Sequence, residues 1–319
     1  MEKISARGMP LNLEMAINNA LEKQVDASSD SHIFSELHFE FNFEKSRDKL
    51  PNKFNILILW ESESVMPWQY RRSVLNKFDL IIPMSPWRAK NLGVAHWAFH
   101  PSKIEFISID ENLRNKNIVM VNAAKFSASN KSLYGLRRKI SKKLHSMNIG
   151  YELYGQNWHM KKSKELRERI WAVRKELIAF KFPYLPEAFS EITYAYPEFL
   201  GPVDDKLSKL SEYRYSLVIE NDSDWMTEKL FDALSARCVP IYIGPDLSRF
   251  KLLSKCVIQL KPSVEAIEQF FKSDNIDLYN LKKAAVNDFI SYSEDLKLFA
   301  LESVSDKISS IVKNHYLSL

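Results

Sequence analysis

The sequence predicts an α/β protein built as two Rossmann-like domains facing each other across a cleft. Three observations lead there. Short apolar runs alternate with amphipathic segments, which argues for parallel βαβ units. The alternation occurs twice, on either side of a charged, aperiodic stretch, Glu111–Asn117 (ENLRNKN), read as a linker. A chain of 319 residues, 45% hydrophobic and 12% aromatic, can bury the cores that two such domains need. The expected division is 1–113, 114–295 and a C-terminal helix, 296–319, packing back on the first domain.

In the first series Met9–Lys23 has helical spacing and His38–Glu44 (HFEFNFE) alternates as a strand does. Phe54–Trp60, Phe78–Met84 and Ile104–Asp110 follow as apolar or β-branched runs bounded by polar residues or proline, each expected to be a strand. In the second series Ile118–Ala124 reads as a strand, Ser132–Ser146 as a basic amphipathic helix and Tyr151–Gly155 as a short strand. Lys161–Phe182 is a longer basic helix by the same reading. Tyr215–Glu220, Glu228–Ala236 and Val239–Gly244 then run strand, helix, strand, and Asp274–Leu319 is largely helical. No internal repeat or low-complexity tract breaks the pattern.

Composition excludes some functions. The two cysteines, Cys238 and Cys256, make neither a metal-ligand spacing nor a disulfide framework, which suits a reducing cytoplasm. The first 23 residues lack an apolar core of signal-peptide length, and no stretch is long and apolar enough to span a bilayer. A soluble, cytoplasmic chain is expected. The net charge of +5 fits an anionic ligand such as a nucleotide diphosphate, a nucleic acid or a membrane surface, without choosing among them.

The richest stretch is Tyr213–Gly244 (YRYSLVIENDSDWMTEKLFDALSARCVPIYIG). An apolar strand carrying Ser216 ends in a carboxylate and an amide, Glu220 and Asn221. A polar loop follows, then Thr227 as N-cap, then a helix with Leu230, Phe231 and Leu234 inward. That loop occupies the ligand position of an open α/β sheet, beyond a strand's carboxyl end and beside a helix N-terminus. On spacing alone, an ordinary βαβ unit with a solvated loop is an equal reading.

The same residues resemble the signature of the α-1,3/4-fucosyltransferase family. They appear here as Ile219-Glu220-Asn221, Asp224-Trp225-Met226-Thr227-Glu228-Lys229 and Val239-Pro240-Ile241. Four departures stand out: Ile219 replaces an aromatic, Trp225 a tyrosine, the loop is short by a couple of residues, and Arg237 stands where glycine is common. Upstream, Ser129-Asn130 with Arg137 on the following helix resembles the family's Ser-Asn…Arg, with Arg138 the neighbour if the register slips. Glu61-Ser62-Glu63…Pro67 resembles its Glu-Ser-Pro segment, with Glu63 in place of the proline. The two glutamates lie two apart, so in an extended segment both face one side.

The resemblance implies a GT-B-type fold, GDP-fucose as donor, and an inverting transfer of L-fucose to O3 or O4 of a GlcNAc-type residue in an oligosaccharide acceptor. It implies Glu61 as general base, Glu63 in reserve. Ser129, Asn130, Arg137, Ser216, Glu220, Asn221, Trp225, Thr227, Glu228 and Lys229 form the donor-binding set, with Arg137 and Lys229 on the diphosphate. It implies no metal and no cofactor. Asp222-Ser223-Asp224 matches an Asp-x-Asp metal motif, but such triplets arise often by chance. His145 and His159 show no ligand spacing, and no Gly-rich phosphate loop is present. Transfer of another GDP-linked sugar, or a non-catalytic basic module for polyanions or membranes, are the alternatives. Nucleic acid is not the expected partner. The basic segment Lys161–Phe182 reads as a solvated face, with peripheral contact to an anionic membrane as its alternative. Oligomeric state is not legible.

Overall fold

The computed structural model describes residues 5–7, 11–24, 37–41, 50–103, 105, 107, 109–111, 114–125, 127, 129–158, 194–273, 276–292 and 294–316. The helix expected over Lys161–Phe182, and His159, lie outside the described residues. Contacts divide the chain into two units. Unit 1 comprises Met1–Lys103, Asp224–Met226 and Leu296–Leu319; unit 2 comprises Ile104–Ser223 and Thr227–Asp295.

Unit 1 is built on a four-stranded sheet in the order β1-β2-β3-β4, with β1 Ser5–Arg7, β2 Leu37–Phe41, β3 Phe54–Leu59 and β4 Leu80–Pro83. Every pairing is parallel. Such strands are covered on both faces, so β3 reads as the unbroken run FNILIL, buried from Asn55 to Leu59. Two helices of this unit are α1, Leu11–Gln24, and α2, Pro86–Leu92. The latter is capped by Ser85, whose hydroxyl accepts from the Arg88 N–H, and it ends at Gly93 in the left-handed conformation.

Unit 2 carries a six-stranded sheet ordered β10-β9-β8-β5-β6-β7. Its strands are β5 Lys116–Val121, β6 Tyr151–Tyr154, β7 Phe199–Gly201, β8 Tyr213–Ile219, β9 Val239–Ile243 and β10 Ile258–Gln259. All pair in parallel. The chain builds outward from β5 to β6 and β7, returns to β8 on β5's other side, and builds outward again. Order therefore reverses between β5 and β8, and the crevice beyond the carboxyl ends of those strands is where such sheets bind ligands. Its helices include α3 Tyr134–Ser146, α4 Lys206–Ser211, α5 Glu228–Ser235, α6 Val264–Lys272 and α7 Ile276–Tyr292. Ile118, Leu217, Ile241, Leu144 and Ile267 meet in its core.

The last helix, α8 Leu301–Tyr316, belongs to unit 1 and packs along α1. Val304, Ile308 and Val312 are buried with Leu13, Ile17 and Leu21. No helix among the described residues is long and apolar enough to cross a membrane.

Two expectations change. The described residues of Ile104–Asp110 form no strand. The Glu105 N–H is bonded to the Ser235 hydroxyl at 3.0 Å, a side chain instead of a ladder partner. The stretch Glu111–Asn117 is not a free connection either. Arg114 is buried, donating to the Ala236 carbonyl at 2.9 Å and to Glu111 at 3.0 Å, and Lys116 already begins β5.

Candidate functional site

The carboxyl ends of β5 and β8 come side by side in unit 2. Asn122, the residue after β5, donates from Nδ2 to the Ile219 carbonyl at 3.3 Å, while its buried Oδ1 has no hydrogen-bond partner among the described residues. Gly155 makes this possible. At φ +131 a Cβ there would lie 2.0 Å from the Asn122 carbonyl oxygen, so only glycine lets the β6 end approach.

Arg137 fills the space beneath. Its guanidinium, 1% exposed, gives Nη2 to the Ile219 carbonyl at 2.7 Å and to Asn221 Oδ1 at 2.9 Å. Nε adds a 3.1 Å bond to Ile219, and Nη1 a 3.2 Å bond to Ala123. Burial lowers its pKa to about 10, and the charge persists. The side chain is thus a clamp on the strand ends, its fork turned to carbonyls where the sequence suggested a diphosphate ligand. Arg138, also buried, donates to the Lys125 carbonyl.

The loop after β8 packs on the loop before α3. Leu133 N–H donates to the Asn221 carbonyl and Ser223 N–H to the Lys131 carbonyl, both at 2.9 Å, and Ser132 bridges Asp222. Ser129 is buried in this turn, its hydroxyl accepting from the Lys131 N–H at 3.2 Å, and Asn130 beside it is exposed. Ser129, Asn130, Asn221 and Arg137 are therefore brought together.

Glu220, fully buried, accepts the Thr227 N–H at 3.0 Å and the Thr227 hydroxyl at 2.6 Å on its two oxygens. Burial holds its carboxyl above the usual range, while Lys229 and the Thr227 bonds pull the other way. Thr227 caps α5 with φ −127 and ψ 179, its oxygen also accepting from Lys229 Nζ at 2.9 Å. Burial pushes the Lys229 ammonium below its ordinary value, offset in part by Glu228 and Glu220. Its side chain is 15% exposed, that of Glu228 53%. Lys229, Ser216 and Asn122 line one small cavity with Lys206. Gly244 closes the base, since a Cβ there would lie 2.5 Å from the Tyr242 hydroxyl and 2.7 Å from Glu220 Cγ.

Asn122, Lys206, Tyr242 and Gly244 escape the sequence reading. Asn122 was hidden because β5 was expected to run on to Ala124; ending that strand at Val121 would have exposed an amide matching Asn221.

Trp225 is a correction. At 1% exposure it sits in the apolar core of unit 1, so it offers a ligand no flat face. Asp224 is held beside it within unit 1, with Asn91 Nδ2 on Oδ2 at 2.6 Å and Arg88 Nη2 at 2.9 Å from Oδ1. These contacts leave little of the Asp-x-Asp pattern available to a cation. Arg88 also pairs with Glu63 at 2.7 Å. The segment after β3 is a turn, with the Val65 and Met66 N–H groups on the Ser62 carbonyl at 3.0 and 2.9 Å. Glu61 and Glu63 therefore lack the extended geometry that would set both on one side. The Glu61 carbonyl accepts the Tyr70 hydroxyl at 2.6 Å.

No family model matches the chain. A stretch of 111 residues, 34% of the chain, is 31% identical to a putative fucosyltransferase-like protein of Arabidopsis thaliana, and the match spans 20% of that protein. Among solved structures, Anabaena Alr3699/HepE in complex with UDP and glucose superposes with a TM-score of 0.52 at 8% identity, covering 93% of this chain and 81% of that one. An alpha1,3-fucosyltransferase gives 0.50 at 12% identity, covering 98% and 90%. A UDP-forming alpha,alpha-trehalose-phosphate synthase from Burkholderia vietnamiensis gives 0.50 at 8%, covering 95% and 78%. With two parallel α/β units in one chain and these structural neighbours, the protein has the fold of the GT-B glycosyltransferases.

Proposed function

We propose that this protein is an inverting glycosyltransferase that moves L-fucose from GDP-fucose to O3 or O4 of a GlcNAc-type residue in an oligosaccharide. The observation that carries this reading is the crevice where strand order reverses. Asn122, Glu220 and Asn221 end the two central strands there, and Lys229 stands on the first turn of α5. A lysine at a helix N-terminus works against the dipole, and a diphosphate at the same point offsets that cost. The partial likeness to a fucosyltransferase-like protein, and the motif residues themselves, favour fucose as the sugar.

In this reading Glu61 takes the proton from the acceptor hydroxyl as that oxygen bonds to the anomeric carbon. The bond from that carbon to the diphosphate breaks, through an oxocarbenium-like state, and its electron pair leaves on GDP. Lys229 meets the developing charge directly, and Arg137 adds a buried positive charge behind the strand ends. Glu228, exposed at the helix start, accepts hydrogen bonds from donor hydroxyls. The two cations do the electrostatic work a metal would do, so no metal is required.

The test is Lys229→Met, which keeps the stem and removes the charge. GDP and UDP affinities by calorimetry, and transfer by donor consumption, are compared with wild type. Loss of one partner of a desolvated pair costs about 2–5 kcal/mol, to be divided between weaker GDP binding and slower transfer. Normal GDP binding and turnover in Lys229→Met overturns the assignment, and tighter binding of UDP overturns the guanine donor. Transfer should survive excess chelator; a rate lost to chelation and restored by Mn²⁺ or Mg²⁺ returns Asp222 to consideration as a ligand.

A further inference from the structure

Unit 2 has a second concavity at the opposite end of its sheet, about 630 Å³ in volume. It opens at the amino ends of the central strands, where Asn117 is the second residue of β5 and Arg214 and Tyr215 the second and third of β8. Phe270 from α6, and Tyr279 and Asn280 from α7, complete the wall. None of the motif residues reaches this end.

The rings interlock edge to face. Tyr215 meets Tyr279 at 5.1 Å and 64°, and Phe270 at 6.4 Å and 84°. They therefore bring aromatic surface and hydroxyls together on one wall. Among the described residues neither phenol has a hydrogen-bond partner, and Arg214 has no carboxylate partner. Burial pushes the Tyr215 hydroxyl up to about 12, so it remains protonated and can both donate and accept. The local charge is positive. Among the described residues the one carboxylate on the wall, Glu111, is already paired with Arg114 at 3.0 Å and Lys283 at 2.8 Å, and the exposed Arg214 has no acidic partner among them.

We propose that this concavity binds an acidic saccharide. Phenol hydroxyls and the Asn117 and Asn280 amides hydrogen-bond sugar hydroxyls, aromatic surface packs on the C–H groups of the ring, and the Arg214 fork takes the acid group. The volume lies within the range of small-molecule sites. The inference stands apart from the strand-end site and does not depend on the activity proposed there.

The experiment titrates the full chain with three probes: a disaccharide ending in glucuronic acid, its neutral glucose counterpart, and inorganic phosphate. Binding is read by calorimetry and ligand-observed NMR. The acidic disaccharide should bind roughly tenfold tighter than the neutral one, the scale of one charge-assisted contact. Arg214→Gln should erase that margin, Tyr279→Phe should weaken both disaccharides, and GDP affinity should not move. Arg214 is exposed, so its variant should keep the wild-type melting temperature, which is measured alongside. No saturable binding of the acidic disaccharide overturns the proposal, as does equal binding of acidic and neutral sugars. Phosphate binding as tightly as the acidic disaccharide, an unaltered margin in Arg214→Gln, or a shifted GDP affinity does the same.

Discussion

Glu61 and Glu63 are separated by one serine and by a change of direction in the backbone. The turn carries Glu63 to Arg88, with which it forms an ion pair at 2.7 Å, 27% exposed on the acid side. That contact occupies the Glu63 carboxylate with a guanidinium, and the proposed mechanism accordingly gives the role of base to Glu61. Glu61→Gln keeps shape and loses proton affinity. Turnover should fall by about 10²–10⁴-fold with GDP affinity unchanged, measured as kcat against the Kd of GDP. A crippled Glu63→Gln beside a normal Glu61→Gln would reverse the assignment. Glu220, Asn221 and Lys229 stand out in the sequence because they lie within one short stretch, whereas Asn122 and Lys206, which line the same crevice, lie far from it. The burial of Trp225 was not legible, because its partners are apolar residues of unit 1 far away in sequence. The reversal of Arg137 from ligand to clamp was equally hidden, since its acceptors are main-chain carbonyls that carry no sequence signature.

Elements are delimited by chemistry that the sequence states more directly. Helix α5 starts at Thr227 and stops where Arg237 turns left-handed, at φ 51. A side chain in that conformation costs about 1–2 kcal/mol relative to the right-handed region, which explains why glycine suits the position. The Arg237 carbonyl is held by Lys283 Nζ at 2.9 Å. Helices α3 and α6 are tied by Glu268, which meets Lys143 at 2.8 Å and Lys272 at 2.7 Å. The two ammonium groups hold its carboxyl well down, to about 2. A depressed folded-state pKa gives stabilisation that is complete above the unfolded value and lost as pH falls from there toward 2. Glu268→Gln should therefore melt slightly lower than wild type at pH 7 and match it near pH 2, with a smaller gap at high salt, as thermal melts would show. Most strands were legible as apolar runs with ends within two or three residues. Ile104–Asp110 alternates as a strand does, yet its described residues form none, since a strand exists only where a neighbour supplies a ladder.

At the scale of the whole molecule, both chain termini contribute to unit 1, where α8 closes over α1. Ile308, fully buried against that helix, should cost about 2–5 kcal/mol when cut to alanine. Chemical denaturation of Ile308→Ala, followed by a probe in unit 1, measures it; a loss below that range would mean that α8 adds little to the core. The alternation of strands and helices announced two α/β units, but the order of strands within a sheet does not appear in a linear pattern. That β5 lies against β8 is fixed by long-range pairing, and with it the position of the crevice. The buried guanidinium at that crevice also bears on how the protein responds to ionic strength. Mobile ions screen exposed charges over about 8 Å at 0.15 M but cannot enter a packed interior. Arg137 lies out of their reach, whereas Lys139 on the outer face of α3 does not. In the proposed reading, added salt will therefore weaken anion binding at the outer basic surface more than it weakens the part that Arg137 contributes at the strand ends, so the share of binding that falls to the crevice rises as the medium becomes more saline.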